Sequence, residues 1–334
     1  MSQGRSKILV IRGGAIGDFI LTLPVFAALR RHLPGTQLEV LGYPHIAQLA
    51  LAGRLVEQVR SIESRPLAGF FARDGALDQS LADYFAGFAV IVSYLYDPDG
   101  IFRANVARCS KAQFIAGPHR PDEKLNLHAT EVLLKPLERL AIFDSDPVPR
   151  LTIGQGSLLT FEPGAQDRPA QNRPEAGPAD WQLDSLEACP TLALHPGSGS
   201  EKKNWPEEHW MRLGEHLQAT TGWDFLLVGG EAERGRLRRL SAAGHPGRVK
   251  LAEGLPLAQL ACRLQTCRGF IGHDSGISHL AAALGLPALV LWGATNETTW
   301  RPRGDRVTVL RSPEGLQGLS VERVVEQVAR VFAR

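Results

Sequence analysis

The chain has little of what would mark a specialised protein. Of its 334 residues four are cysteine and two methionine, and aromatics make up 7%. The cysteines, Cys109, Cys189, Cys262 and Cys267, form no C-x-x-C pair, and no histidine cluster joins them at zinc-ligand spacing. In a chain this long they are read as free thiols in a reducing compartment, with Cys262 and Cys267 on a buried helix face. Charge of one sign is missing as well. The 37 Lys+Arg and 35 Asp+Glu leave a net +2, so no broad field draws the protein onto nucleic acid. Long hydrophobic runs are absent too. The apolar run at 8–11 is too short for a secretory leader, and no small-residue cleavage site follows it. The longest apolar stretch, 281–294, is broken by Gly285, Pro287 and Gly293. It falls short of the ~20 residues that span a bilayer. The expectation is a soluble, cytoplasmic protein, with peripheral contact at the inner face of the membrane left open.

What is present is ordinary globular composition, 44% apolar and 22% charged. At ~150 residues per domain the length suits two domains. Short apolar runs alternate with helical patterns. Strands are expected at 8–12, 37–41, 55–61, 89–94 and 112–116, with helices at 17–33 and 77–87. The runs are continuous, as in strands buried on both faces, which points to βαβ units and parallel sheets. The stretch 162–180, EPGAQDRPAQNRPEAGPAD, breaks the pattern and reads as a linker. Strands then follow at 191–195, 224–228, 248–251, 269–272 and 288–292. Helices are expected at 206–220, 232–242, 257–265 and 275–284, and an amphipathic one at 320–332. Pro24 predicts a kink or late start in the first helix, and Pro206 suits a first helical turn.

In open α/β sheets ligands bind outside the carboxyl ends of the strands, so the loops there carry the candidate chemistry. The first loop, Gly13-Gly14-Ala15-Ile16-Gly17-Asp18, opens a helix. Asp18 faces a cleft as a general base, or it caps the helix N-terminus. The spacing is not G-x-G-x-x-G, which weakens a dinucleotide reading. The second loop, H-P-G-S-G-S-E-K-K-N-W-P at 195–206, is not a Walker loop. It offers Ser198, Gly199 and Ser200 to phosphate oxygens and Lys202 or Lys203 as a point charge. The third, G-H-D-S-G-I-S-H at 272–279, presents the amides of Ser275, Gly276 and Ile277 to an anion and Asp274 to sugar hydroxyls. Asp274 as a helix cap and His279 as a core residue are the alternatives. His273, Asp274 and His279 lack a fourth metal ligand, so no metal is expected. After strand 224–228, Glu231 or Glu233 takes ribose hydroxyls or simply lies in a capped first turn. Arg234, Arg236, Arg238 and Arg239 read as a solvated face. In the loop after 288–292, Trp300 or Arg301 can sit beside a base or phosphate. Trp181, Trp205 and Trp210 are read as packing residues.

Three of these motifs together, K-I-L-V-I-R-G-G-A-I-G-D at 7–18, the 195–206 loop and D-S-G-I-S-H at 274–279, resemble glycosyltransferase family 9. This is the ADP-heptose:lipopolysaccharide heptosyltransferase family. The resemblance implies a GT-B fold, an α/β architecture of two Rossmann-like domains whose parallel sheets face across a cleft. It implies an acceptor-binding domain at 1–160, a Pro-rich linker at 161–189 and a nucleotide-sugar domain at 190–318. A last helix, within 319–334, would pack back on the first domain. It implies inverting, metal-independent transfer of a heptose from ADP-heptose to a lipopolysaccharide core or other glycan acceptor, with no cofactor and no nucleic acid. By carry-over Asp18 is the general base and Lys203 the pyrophosphate lysine. Asp274 contacts the donor sugar, and the 275–277 amides contact its phosphate. Gly14, Gly17 and His279 line the substrate site. The rival readings are another GT-B-like enzyme, such as a UDP-sugar 2-epimerase, and a non-catalytic nucleotide-sugar-binding protein.

Overall fold

The computed structural model describes residues 6–154 and 191–332; the linker expected at 161–189 lies outside the described residues. The first half begins with β1 (Lys7–Arg12), α1 (Ile16–Ile20), α2 (Leu23–His32), β2 (Gln37–Gly42), α3 (Pro44–Ala52) and β3 (Gln58–Ser61). It continues with α4 (Gln79–Ala86), β4 (Val90–Ser93), α5 (Ile101–Ala107), β5 (Gln113–Ala116) and α6 (Ala129–Leu134). Its five strands are all parallel, in the order β3-β2-β1-β4-β5. Alternation along β1 sends Ile8 and Val10 to one face, with Phe26 and Leu29 of α2. Leu9 and Ile11 go to the other, with Phe70, Phe85 and Phe102. Both faces are covered, which is why the strand reads as one apolar run.

The second half holds β6 (Thr191–His195), α7 (Glu207–Thr220), β7 (Asp224–Gly229), α8 (Arg234–Ala243), β8 (Val249–Glu253) and α9 (Leu257–Gln265). It ends with β9 (Gly269–His273), α10 (Gly276–Ala283), β10 (Ala288–Trp292), α11 (Glu297–Trp300), β11 (Val307–Arg311) and α12 (Val321–Phe332). Six parallel strands run β11-β10-β9-β6-β7-β8. In each sheet the strand order reverses beside the first strand, between β1 and β4 and between β6 and β9. These switch points are where a doubly wound sheet opens a crevice.

The first expected helix is two. α1 stops at Ile20, and Pro24 lies in the first turn of α2, where it needs no backbone partner. The Thr22 hydroxyl bridges the break by donating to the Asp18 carbonyl at 2.9 Å. Pro206 is the residue before α7 rather than its first residue. Strand β11 was not anticipated; VTVLR is half-exposed at the sheet edge, so its apolar signal is diluted. Cys267 is buried one residue beyond the cap of α9, while Cys262 is partly buried on it.

The expectation for the last helix is corrected. Among the described residues, the buried face of α12 packs on its own domain rather than on the first. Val321, Val324, Val328 and Phe332 join the core of its own domain with Leu213 and Leu217 of α7 and Leu289 and Leu291 of β10. Trp205 Nε1 donates to the Leu319 carbonyl at 2.7 Å just ahead of it. Amphipathic spacing says that one face is buried, not against which surface. The chain before the linker does meet the second domain: Leu151 N–H donates to the Ala283 carbonyl at 2.8 Å. Arg150 also meets Asp305 at 3.1 Å.

Candidate active site

The N-terminal wall starts from a buried arginine. Arg12 ends β1, and its Nη1 donates to the His119 carbonyl at 2.9 Å. Nε and Nη2 reach the Asp18 carbonyl at 3.4 and 3.3 Å. Burial lowers its pKa, opposed by the nearby Asp18 and Tyr94. Asp18 stands at the third position of α1. Its Oδ2 accepts the Ala15 N–H at 3.0 Å, and its Oδ1 lies 3.6 Å from Arg12 Nη2. So Asp18 does satisfy a helix N-terminal amide, from inside the helix, yet its side chain remains 32% exposed toward the cleft. Gly14, at φ +100°, is required here: a β-carbon on it would lie 2.7 Å from Asp18 Oδ2.

The C-terminal wall joins the two remaining loops. Lys203 Nζ donates to Asp274 Oδ2 at 2.7 Å. Asp274 is not the cap of α10; Ser275 is, accepting the Ser278 N–H. His273 is wholly buried and ties the loops together. Its Nε2 accepts the Trp205 N–H at 2.8 Å, so Nδ1 carries the proton toward the Gly197 carbonyl at 3.3 Å. Burial drives its pKa down to about 3. Arg236, read as solvated, instead braces the 195–206 loop, donating to the Pro196 carbonyl at 3.1 Å and to Glu201 at 2.8 Å. Trp205 and Trp210 do pack in the core.

The walls meet directly. A β-carbon on Gly276 would lie 2.7 Å from Ile16 Cβ and 2.9 Å from the Gly17 nitrogen, so α1 and α10 touch at their N-termini. Gly276→Ala is expected to force them apart and lower kcat/KM ~10- to 100-fold, since misplacement of about 1 Å carries that cost. Steady-state kinetics beside a thermal melt measures this; unchanged kinetics would mean the contact is not needed.

Between the walls lies a cleft of about 580 Å³, in the range of ligand sites. It gathers Gly14, Gly17, Asp18, Ser198, Lys203, Asp274, Ser275, Gly276 and His279. It also gathers residues that the sequence reading gave no part in the site: Arg12, Tyr94, Tyr96, His119, Arg120 and Thr295. The signal for Arg12 was an arginine closing a buried strand. The others sit in loops with no motif. Gly199 and Ser200 are in the 195–206 loop but not on the cleft wall, and Ile277 packs toward the core. The Lys202 side chain is outside the described part. Glu231 is exposed, and Glu233 turns back to accept the Gly230 N–H at 2.9 Å. Neither is among the residues that line the cleft, and the Glu233 side chain caps no amide of α8. Trp300 does line it; its Nε1 donates to Glu123 Oε1 at 2.8 Å, with Arg120 over the ring at 5.4 Å. Nearby, His128 Nε2 lies 2.8 Å from the Arg301 carbonyl, so this loop spans from one domain to the other. His195 and His279, like His128, are buried and held neutral, with pKa values pushed down to about 4 by burial. Among the described residues no cluster of three or more His, Cys, Asp or Glu is placed to hold a metal ion.

Two parallel-sheet domains, switch points facing one cleft, a carboxylate on one wall and a lysine with a helix N-terminus on the other define a GT-B glycosyltransferase. The model of glycosyltransferase family 9 (heptosyltransferase) matches residues 160–327, and the chain belongs to that family. It is 40% identical over 114 residues to lipopolysaccharide heptosyltransferase 1 of Pseudomonas aeruginosa, a match covering 34% of this chain and 31% of that protein. It is 24% identical over 326 residues to lipooligosaccharide heptosyltransferase 2 of Haemophilus influenzae, covering 92% and 89%. The solved structure of the Escherichia coli ADP-heptose lipopolysaccharide heptosyltransferase II superposes with a TM-score of 0.73 at 16% identity, covering 98% of each chain. The protein is thus an enzyme of the heptosyltransferase family. No helix among the described residues is long and apolar enough to cross a membrane.

Proposed function

We propose that the protein transfers a heptose from ADP-heptose to a sugar of a lipopolysaccharide core, inverting the anomeric centre without a metal ion. The observation that carries this reading is the opposition, across one cleft, of Asp18 to Lys203 and the N-terminus of α10. The family relatives, named as lipopolysaccharide or lipooligosaccharide heptosyltransferases, supply the substrate class.

In this reaction Asp18 takes the proton of the acceptor hydroxyl as its oxygen attacks the anomeric carbon. ADP leaves from the opposite face, which inverts the centre. Negative charge then grows on the departing diphosphate. Lys203 and the first-turn amides of Gly276 and Ile277 are placed to stabilise it, the amides having no intrahelical partner. The Lys203–Asp274 pair holds both side chains in register before donor arrives. The Lys203 side chain is 41% exposed, so the pair adds little to stability and leaves the ammonium available to phosphate. Asp274 is then free to accept from the donor sugar. Closure of the walls excludes the water that would hydrolyse the donor. We place this chemistry in the cytoplasm, at the inner membrane surface where a lipid-linked acceptor is found.

Transfer from ADP-heptose to a heptose-deficient core oligosaccharide, followed by mass spectrometry in excess EDTA, tests the reading. The protein is expected to be fully active, and Lys203→Ala to lose roughly 10²-fold or more in kcat/KM. Loss in EDTA that Mg²⁺ or Mn²⁺ restores would overturn the metal-free mechanism. Wild-type kinetics in Lys203→Ala would remove the leaving-group role.

A further inference from the structure

We propose that Tyr96 is a stacking platform for the acceptor, its ring receiving the apolar C–H face of a pyranose beside the Asp18 carboxylate. The inference rests on the proposed transfer reaction and deepens it, since nothing above assigns the acceptor a binding residue. Tyr96 lies in the loop after β4, which is the neighbour of β1 in the sheet. The loops leaving these two strands carry Tyr96 and Asp18, and both residues line the same cleft. Tyr96 is therefore on the N-terminal wall with Asp18, whereas Lys203 and Asp274 belong to the C-terminal wall.

The loop is built to present this ring. Tyr94, two residues earlier, is buried, with its hydroxyl donating to the Leu133 carbonyl at 2.6 Å. On the other side, the Asp97 carboxylate accepts the N–H groups of Phe102 and Arg103 at 3.1 and 3.0 Å, clamping the loop to the start of α5. Gly100, at φ +67°, lets the chain turn into that helix. Between two fixed neighbours Tyr96 remains 70% exposed. Its ring is steadied on one side by His119, at 4.6 Å between centroids and tilted by 60°. The His119 carbonyl is in turn fastened by Arg12, so base and ring hang from one buried guanidinium.

An aromatic side chain this exposed on a clamped loop leaves apolar area in water, which is unfavourable unless something covers it. The negative face of the ring suits the weakly positive axial C–H groups of a sugar, and the polar hydroxyl rim of that sugar stays free to reach Asp18. A rigid ring with two side-chain torsions also costs little entropy to order.

The experiment uses Tyr96→Ala and Tyr96→Phe with a water-soluble, deacylated core oligosaccharide lacking heptose. Oligosaccharide binding is measured by calorimetry and transfer by steady-state kinetics. Tyr96→Ala is expected to weaken binding and raise the acceptor KM roughly tenfold, with the ADP-heptose KM and the melting temperature unchanged. Tyr96→Phe is expected to behave as wild type. Unchanged acceptor binding and KM in Tyr96→Ala would overturn the platform. So would a defect seen only with lipid-bearing acceptor in vesicles, which would make Tyr96 a membrane contact. A wild type that binds the oligosaccharide through Tyr96 but transfers nothing would overturn the reaction and leave the platform. One that neither binds nor transfers would overturn both.

Discussion

Asp18→Asn is expected to abolish most turnover while leaving ADP binding intact. The replacement is nearly isosteric, and its amide oxygen can still accept the Ala15 N–H that Asp18 Oδ2 accepts at 3.0 Å. It cannot take a proton from the acceptor hydroxyl, and loss of a positioned general base costs ~10²- to 10⁴-fold. In the proposed reaction the donor is held by the other domain, so calorimetric ADP affinity should stay within about twofold of wild type. The pattern to look for is a collapse of kcat at unchanged donor KM, which marks an interaction made only in the transition state. Activity within threefold of wild type would remove Asp18 from the role of base. A fall in ADP affinity of the same size as the fall in rate would make it a donor-binding residue instead.

The second large effect is acid destabilisation well above the range of carboxylate titration. His128, His195 and His279 are held neutral by burial with pKa values lowered from 6.5 to about 4, and His273 to about 3. Their stabilisation is complete above pH 6.5, where folded and unfolded chains are both neutral at these sites. As pH falls below 6.5 the unfolded chain takes up protons that the folded chain refuses. Stability is therefore lost progressively down to about pH 4, at roughly 1.4 kcal/mol per pH unit for each histidine fully protonated in the unfolded state. The geometry gives the same sign. His273 Nε2 accepts the Trp205 N–H, and protonating it breaks the tie between the 195–206 loop and β9. His128 Nδ1 accepts the Thr130 N–H at 3.2 Å, so its second proton disrupts the cap of α6 beside the interdomain bond to Arg301. Urea denaturation at several values between pH 5 and pH 7 isolates these groups, because Glu131, Glu201 and Glu207 titrate below their ordinary range through their arginine partners. Unfolding free energy that is flat from pH 6.5 to 5 would contradict the neutral assignments.

Much of the fold is legible because buried parallel strands write themselves as apolar runs. The runs at 191–195 and 288–292 coincide with β6 and β10. Local signals failed where they were weak or shared. Helix α3 follows β2 after a single residue and is mostly apolar, so its period merges with the strand. Helix α5 starts from a left-handed glycine rather than a Ser, Thr or Asp cap. Edge strand β11 has no clean apolar face.

The site divides in the same way. Asp18, Lys203 and Asp274 are legible because each lies in, or one turn beyond, a Gly- or Ser-rich link between an apolar strand and a helix. That arrangement alone brings a side chain to the carboxyl end of a sheet. The sequence by itself therefore determined two parallel-sheet domains, the strand-end loops that line the cleft, and the residues proposed as base, leaving-group lysine and sugar-binding carboxylate. Only the tertiary structure decided which of those residues share a cleft and where α12 docks. It likewise decided that Glu233 folds back on its own turn, that His273 pins one loop to another, and that Tyr96 stands open beside the base. The physical reason is that strand and helix periodicity is local, recorded within a few residues. The pairings that build the site join Arg12 to His119, Lys203 to Asp274 and His128 to Arg301. Such contacts are fixed by how two sheets and their helices pack, and leave no periodic trace in the chain.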